Sequence, residues 1–495
     1  MATTVGTPKS TSSALDRFFE ISKRGSTVGR EVRGGIVTFI TMAYIVVLNP
    51  LILGFAKDVN GAYLGSVDGG PNLALIGALT AILAGVLTIA MGVVGKFPIA
   101  LATGLGLNGF VAFTLTRTMS WAEAMGLVVL EGLIILVLVL TGFRKAVFEA
   151  VPVALRYAIG VGIGLFITII GLVDAKIVRP NAAVLVNFGP DGAGLNGWPI
   201  FVFCFGLLLT IALLARKTRA AILIGIALTT VLSILVEAIA KVGPFDDGNP
   251  DTPINATGWA LNVPRLPDGL SGLVAVPNFD GFVAPDLTGA LSAAPLAAAL
   301  AIFTLLLSDF FDTMGTVYAI ATEGDLLDKN GDVPGLQGIL VVDSVAAAAG
   351  GFAGVSSNTS YIESASGVGE GARTGFANVI TGGIFLVAAF FSPLVTLIPH
   401  EAATPALVVV GFLMMTSISK IAFDDYTIGI PAFLTIVLMP FTYSIANGIG
   451  AGFVAYVLLK SVTGKSKEIK PLMWLVAISF VIYFAINPIQ NLLGL

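Results

Sequence analysis

The chain has 495 residues, of which 56% are hydrophobic and 11% charged, and its formal net charge is −4. An average soluble domain carries roughly 25% charged residues, so a soluble globular domain, a disordered chain and a collagen are all excluded. Cys204 is the single cysteine and His400 the single histidine, which removes a disulfide scaffold, a His/Cys zinc site and a Ser-His-Asp triad.

Residues 1–33 are polar and basic, without the apolar core of a signal peptide. They predict a cytoplasmic segment in which Leu15, Phe18 and Phe19 form one face of a short interfacial helix, between Asp16, Arg17 and Lys23. From residue 34 onward, runs of about 20 apolar residues recur. The predicted spans are 34–55, 72–95, 98–116, 121–142, 150–173, 198–215 and 219–240. A Pro-, Gly- and Asp-rich loop over 241–293 follows, with Asp246, Asp247, Asp251, Asp268, Asp280 and Asp286. Then come 294–322, 335–351, 356–370, 374–397, 404–419, 427–445 and 446–461. The C-terminal segment 462–495 contains an apolar stretch, 471–493, whose crossing the pattern leaves open.

The expected fold is therefore an all-α polytopic membrane protein of fourteen spans. Lys57, Arg117, Lys176, Arg179, Lys241 and Arg265 fall on the outer side if the N-terminus is inside, and the rest of the 26 Lys and Arg fall inside. Because each half has an odd number of spans, the second half (294–461) enters the membrane in the opposite sense to the first (34–240). That is the arithmetic of a 7+7 inverted repeat, common among secondary transporters. Segments 98–113 and 354–368 are both third in their half, short and Gly-interrupted. Setting Thr103 against Asn358 places Asn108 opposite Glu363.

An Asp at the centre of a span costs about 2.5–3.5 kcal/mol, so intramembrane acids point to function. Asp309 and Asp312 lie mid-span at i, i+3, on one helix face. Glu363 lies in the polar run SSNTSYIESASG (356–367), which a lipid-facing helix would not carry. Asn108 is balanced between ligand binding and bridging helices. Glu131, Glu237 and Asp343 read more readily as structural. Gly104, Gly106 and Gly109 match a dinucleotide fingerprint, but no strand and soluble βαβ unit surround them, and they read as helix breaks. An intramembrane aspartyl protease would split its acid pair between two helices, whereas here both acids share one.

Buried carboxylates suit a planar base that presents N–H donors, two of which one carboxylate can accept. Phe310, Phe311, Phe110 and Tyr361 could stack on its faces, although core packing is the commoner role for each. Two acids on one face repel when both are ionised, so a proton held there can travel with the substrate. No GxxxxGK[ST] loop is present to use ATP.

The segments LSDFFDTMGTVYAIATEGDLLD (307–328), FAGVSSNTSYIESASGVGEGARTG (352–375), TFITMAYIVVLNP (38–50) and ALATGLGLNGF (100–110) resemble signature segments of the AzgA-like purine permeases of the nucleobase–cation symporter group. The resemblance runs from about Phe18 to the last span. It implies a uracil-permease-like fold with a core domain, 34–142 plus 294–397, and a gate domain, 150–240 plus 404–461. It also implies elevator-type import of adenine, guanine or hypoxanthine with a proton, often in a homodimer. With no transit peptide visible, a bacterial inner membrane is the expected location. By the family pattern, substrate binding falls on Glu363, Asp309 and Asn108, with Tyr361, Ser364 and Thr103 weaker, and proton coupling on Asp312, Asp309, Glu363 and Thr313. No enzymatic activity, metal, cofactor or nucleic-acid partner is expected. The rival is a sulfate- or bicarbonate-type anion transporter of the same fold, whose site would favour a positive residue over these acids. A channel or receptor-like protein is the rival from another class.

Overall fold

The computed structural model describes residues 14–142, 151–181, 185–188, 195–246, 253–267, 269, 272–329 and 332–485, and it is mostly helical. Arg144, Lys145, Asp247, Asp251 and Asp268 lie outside the described residues, as do Lys9 and the end of the 471–493 stretch.

The interfacial helix is α1 (Ala14–Phe19). Its two rings divide the work. Phe18 is exposed beneath the Lys96 ammonium, 4.7 Å from the ring centre, whereas Phe19 is buried and packs on Phe376 at 5.5 Å. The first span is jointed, α2 (Val28–Met42) and α3 (Ile45–Gly54), with Tyr44 at the joint. α4 (Leu73–Ala90) ends in a widened turn. The third span is not one helix but a strand, β1 (Leu101–Thr103), followed by the short α5 (Leu105–Phe110). Next come α6 (Trp121–Thr141), α7 (Val153–Asp174), the hairpin β2 (Val178–Asn181) and β3 (Leu185–Phe188), α8 (Trp198–Ala215) and α9 (Ala221–Ala240). After the loop come α10 (Gly289–Ala293), α11 (Pro295–Glu323), α12 (Leu336–Phe352), β4 (Asn358–Ser360), α13 (Ser364–Gly369) and α14 (Phe376–Ala388). The chain closes with α15 (His400–Ala403), α16 (Pro405–Met415), α17 (Tyr426–Thr442), α18 (Ile445–Val462) and α19 (Pro471–Phe484). Among the described residues, ten helices are long and apolar enough to cross a membrane, by length and composition, and four apolar helices are shorter.

The all-α expectation is corrected at the two interrupted spans. β1 and β4 pair antiparallel, Leu101 with Ser360, Ala102 with Thr359 and Thr103 with Asn358. Away from water, an unwound backbone must find partners inside the protein. Each strand supplies some, and side chains supply the rest. Thr88 Oγ1 donates to the Leu101 carbonyl (3.0 Å) and accepts from its N–H (2.9 Å). The Ala100 N–H donates to Ser364 Oγ (3.0 Å), and Asn378 Nδ2 donates to the carbonyls of Phe97 (2.8 Å) and Ile99 (2.6 Å).

The helices pack in two sets. In one, α6 lies on α12, α4 on α14, and α2 on α13 and α14. In the other, α7 lies on α16 and α17, α17 on α18, and α8 on α9. The 241–293 loop is anchored by Trp259, which is 1% exposed and donates from Nε1 to Glu237 Oε2 at 2.7 Å. Glu237 also accepts from the N–H groups of Val242 and Gly243, so its work is structural.

Glu31 on α2 is fully buried and accepts from the backbone N–H groups of Arg373 (2.8 Å), Thr374 (3.3 Å) and Ala377 (3.3 Å). It thereby caps α14, whose first N–H groups have no partner within the helix. Glu31→Ala leaves these donors buried and unpaired, at about 1–3 kcal/mol each. The expected result is a melting temperature in detergent lowered by several degrees, measured by thermal unfolding; an unchanged value would contradict the cap.

Candidate functional site

The strand crossing at β1 and β4 sends two short helices, α5 and α13, away from one point. Glu363 sits at the start of α13. Its Oε1 accepts a 2.5 Å bond from the Tyr44 hydroxyl at the joint of the first span, and its backbone carbonyl accepts from Thr41 Oγ1. The helix joint in α2–α3 and the helix break before α13 are therefore tied together through one acid.

Asp312 lies on the same side. It interacts electrostatically with Glu363 and with the hydroxyls of Tyr44 and Tyr361, all part of the buried interior or its edge. Asp312 itself is exposed. Along α11, every described side chain from Ala301 to Phe310 is buried or nearly so, and exposure then begins at Asp312 and returns at Gly315, Ala319 and Thr322. That is helical spacing. On α2 the exposed positions Arg33, Ile36 and Ile40 repeat at the same interval. An exposed strip thus runs along α11 from Asp312, beside Glu363, to the helix end near Glu323. A Cβ at Gly315 would meet nothing within 4 Å, so the strip is open there.

Asp309, one turn earlier on α11, has a different setting despite the shared face. It is fully buried, and neither carboxyl oxygen has a donor in good hydrogen-bonding geometry, Thr359 being the neighbouring hydroxyl. It faces Glu131 of α6 and Asp343 of α12. Asp343 accepts from Thr313 Oγ1 (2.8 Å) and Ser360 Oγ (2.9 Å), and Thr313 Oγ1 also meets Thr359 Oγ1 at 2.8 Å. Sequence reasoning ranked Glu131 and Asp343 as structural. The signal for them was only that each is a lone acid in an apolar helix, and a single chain does not reveal that they converge.

Asn108 and the three weaker substrate-binding candidates, Tyr361, Thr103 and Ser364, sit at the strand crossing itself. Tyr361 donates from its hydroxyl to the Thr103 carbonyl (2.6 Å), and Asn108 Nδ2 donates to Thr103 Oγ1 (3.2 Å). Ser364 holds the Ala100 N–H, so the polar atoms of Tyr361, Thr103 and Ser364 are engaged in fixing the crossing. Asn108 Oδ1 has no partner and remains available. Tyr361→Phe removes a buried bond and leaves a carbonyl unpaired, an expected cost of about 1–3 kcal/mol, read as a lower melting temperature with the substrate acids still in place. Tyr44 was missed, although its motif was noticed. Its ring lies in the buried interior at 1% exposure. The side chain of Phe311 lies outside the described residues.

A separate cavity of about 120 Å³ lies between α3 and the end of α7, lined by Leu51, Phe55, Phe113, Asp174, Lys176 and Leu261 among others. It does not include Glu363, Asp309 or Asp312 and, through Leu261, sits on the side of the 241–293 loop.

The chain matches the Permease family (Xan_ur_permease) over residues 29–451. It is 36% identical to the guanine/hypoxanthine permease PbuG of Bacillus subtilis over 475 residues, covering 95% of this chain and 99% of that protein. It is 35% identical to the adenine permease AdeQ of Escherichia coli over 473 residues, covering 95% and 96%. Among solved structures, the transmembrane domain of the cyanobacterial bicarbonate transporter BicA matches with a TM-score of 0.53 at 16% identity, covering 86% of this chain and 96% of that one. That likeness concerns the fold alone.

Proposed function

The chain belongs to the Permease family, as a multi-pass integral membrane permease and not an enzyme, and from that premise we propose that it imports purine nucleobases with a proton. The observation that carries this reading is the pair Glu363–Asp312, joined to Tyr44, at the end of the exposed strip on α11, and in this scheme the strip is one wall of a crevice with the two acids at its floor. A purine edge offers adjacent N–H donors and ring-nitrogen acceptors. Glu363 accepts the donors, and Tyr44 is placed to donate once the base draws the carboxylate away from it. Adenine, guanine and hypoxanthine are the proposed substrates. Acids at this floor repel anions, which makes a bicarbonate- or sulfate-type substrate the poorer fit.

The helix contacts support the 7+7 inverted repeat. With spans numbered along the chain, the pair 2–11 (α4 with α14) has its counterpart 9–4 (α12 with α6). The pair 1–11 (α2 with α14) returns as 8–4 (α11 with α6), and 5–13 (α7 with α17) as 12–6 (α16 with α8). Advancing both numbers by seven regenerates the pattern, and the antiparallel 3–10 strand pair maps onto itself. In this scheme one packed set is the core (34–142 plus 294–397) and the other the gate (150–240 plus 404–461), a division that the helix contacts support. Glu370 of the first set pairs with Arg33 and with Arg219 of the second, an ion pair spanning the two. In an elevator cycle the core would slide against the gate and this bridge would break. With the N-terminus inside, in a bacterial inner membrane, the crevice along α11 is the inward-open path. A homodimer through the gate fits the same scheme.

Uptake of radiolabelled adenine, guanine and hypoxanthine into cells lacking their own purine permeases tests the reading. Saturable uptake that collapses on addition of a proton uncoupler is the expected result. Uptake indifferent to the uncoupler would remove the proton from the scheme.

A further inference from the structure

One cluster of acids lies outside the proposed base site. Glu131 on α6 and Asp309 on α11 are both 0% exposed, their helices pack together, and their carboxyls interact directly. Glu131 Oε1 and both Asp309 oxygens have no donor in good hydrogen-bonding geometry; the nearest hydroxyls are Thr359 beside Asp309 and Ser357 Oγ, 3.4 Å from Glu131 Oε2. Two carboxyls meeting without an N–H or O–H between them cannot both be ionised in a dry interior, where unpaired charge is expensive. They need something positive and small.

The surroundings bear on what that is. Of the elements packed against α6, α11 contributes Asp309 and Asp312, and α12 contributes Asp343. α10 and the turn Val111–Leu115 contribute no titratable side chain. On α6 itself, Glu123 is occupied at the helix start by Ser120. No basic side chain is among the charges acting on Glu131, Asp309 or Asp312. A sodium ion would need several converging oxygens, but the hydroxyls of Thr313 and Ser360 are turned to Asp343 as donors, and no cluster of acids with metal-holding geometry occurs among the described residues.

We propose that Glu131 and Asp309 form a shared-proton carboxyl pair, the binding site of the co-transported proton, lying one helical turn behind the base site. Asp343 is a positioning residue. Its charge acts on both Asp309 and Asp312, so a proton on the pair is felt electrostatically beside Glu363, where the base is proposed to dock. The chemistry is one O–H bond formed from outer water and one broken to inner water, with no other bond changed. The inference deepens the proton-symport reading and rests on it.

The test uses the full-length protein in proteoliposomes. Infrared spectroscopy without substrate should show a protonated-carboxyl C=O band that shifts in D2O and is lost in Glu131→Gln. Glu131→Asp, which keeps the carboxyl, should restore it. Guanine binding between about pH 5.5 and 8.5 should vary by about tenfold per proton-linked unit in the native protein, and this dependence should flatten in Glu131→Gln. A band and a pH dependence both untouched by Glu131→Gln would overturn the proposal while leaving purine transport standing. If the native protein bound no purine, the transport reading would fail, and the infrared band alone would still decide where the proton sits.

Discussion

Glu363→Ala is expected to reduce purine uptake by about 100-fold or more while the protein still reaches the membrane. The carboxylate is proposed to accept two charge-assisted bonds from the base, each worth about 1.5–3 kcal/mol. Losing both removes roughly 3–6 kcal/mol of binding, and every 1.4 kcal/mol is tenfold in affinity. The substitution also frees the Tyr44 hydroxyl, which at 1% exposure has no water to turn to. Tyr44→Phe should therefore be milder, about tenfold, since it removes one donor and leaves the acid. Initial uptake rates at several purine concentrations, set against the amount of protein in the membrane, separate these variants. Wild-type uptake by Glu363→Ala would remove the acid from the site.

Asp309→Asn is expected to abolish uphill accumulation. One proton crossing a potential of about 100 mV carries about 2.3 kcal/mol, enough to concentrate substrate roughly 50-fold at 1.36 kcal/mol per decade. An amide cannot take up and release that proton, so the ratio of internal to external purine should fall to about one in proteoliposomes with an imposed gradient. Asp312→Asn should act differently. Asp312 is exposed at the proposed crevice floor beside Glu363, so its loss should raise the concentration needed for half-maximal uptake more than it lowers the steady accumulation ratio. The two measurements together distinguish the adjacent acids. Identical losses in both variants would dissolve the proposed division.

Much of this arrangement was visible in the chain. Apolar runs of about 20 residues mark most of the helices, because lipid tolerates little else. The polar run at 356–367 and the glycines at 104–109 marked the two breaks, and pairing Thr103 with Asn358 by sequence is the register that the strands adopt. The strands themselves were not foreseen. Three-residue segments have no periodicity to detect, and they exist because each satisfies the other's backbone. The acids divided along the same line. Glu363, Asp309 and Asp312 stood out because their neighbours were polar or acidic too. Glu131 and Asp343 sit alone among apolar residues, more than two hundred positions apart, and only the packing of α6 on α12 brings them together. Tyr44 was hidden for the opposite reason, being one aromatic among many in an apolar span.

The central claim is that a flat base with N–H donors docks on the Glu363 carboxylate. Calorimetric titration of the purified protein with adenine, guanine, hypoxanthine, xanthine and uracil, and with bicarbonate and sulfate, addresses it directly. Saturable heat is expected from at least one of the first three, with affinity weakened by about 100-fold or more in Glu363→Gln, and none from the anions. Binding of bicarbonate or sulfate with no response to any base would contradict it.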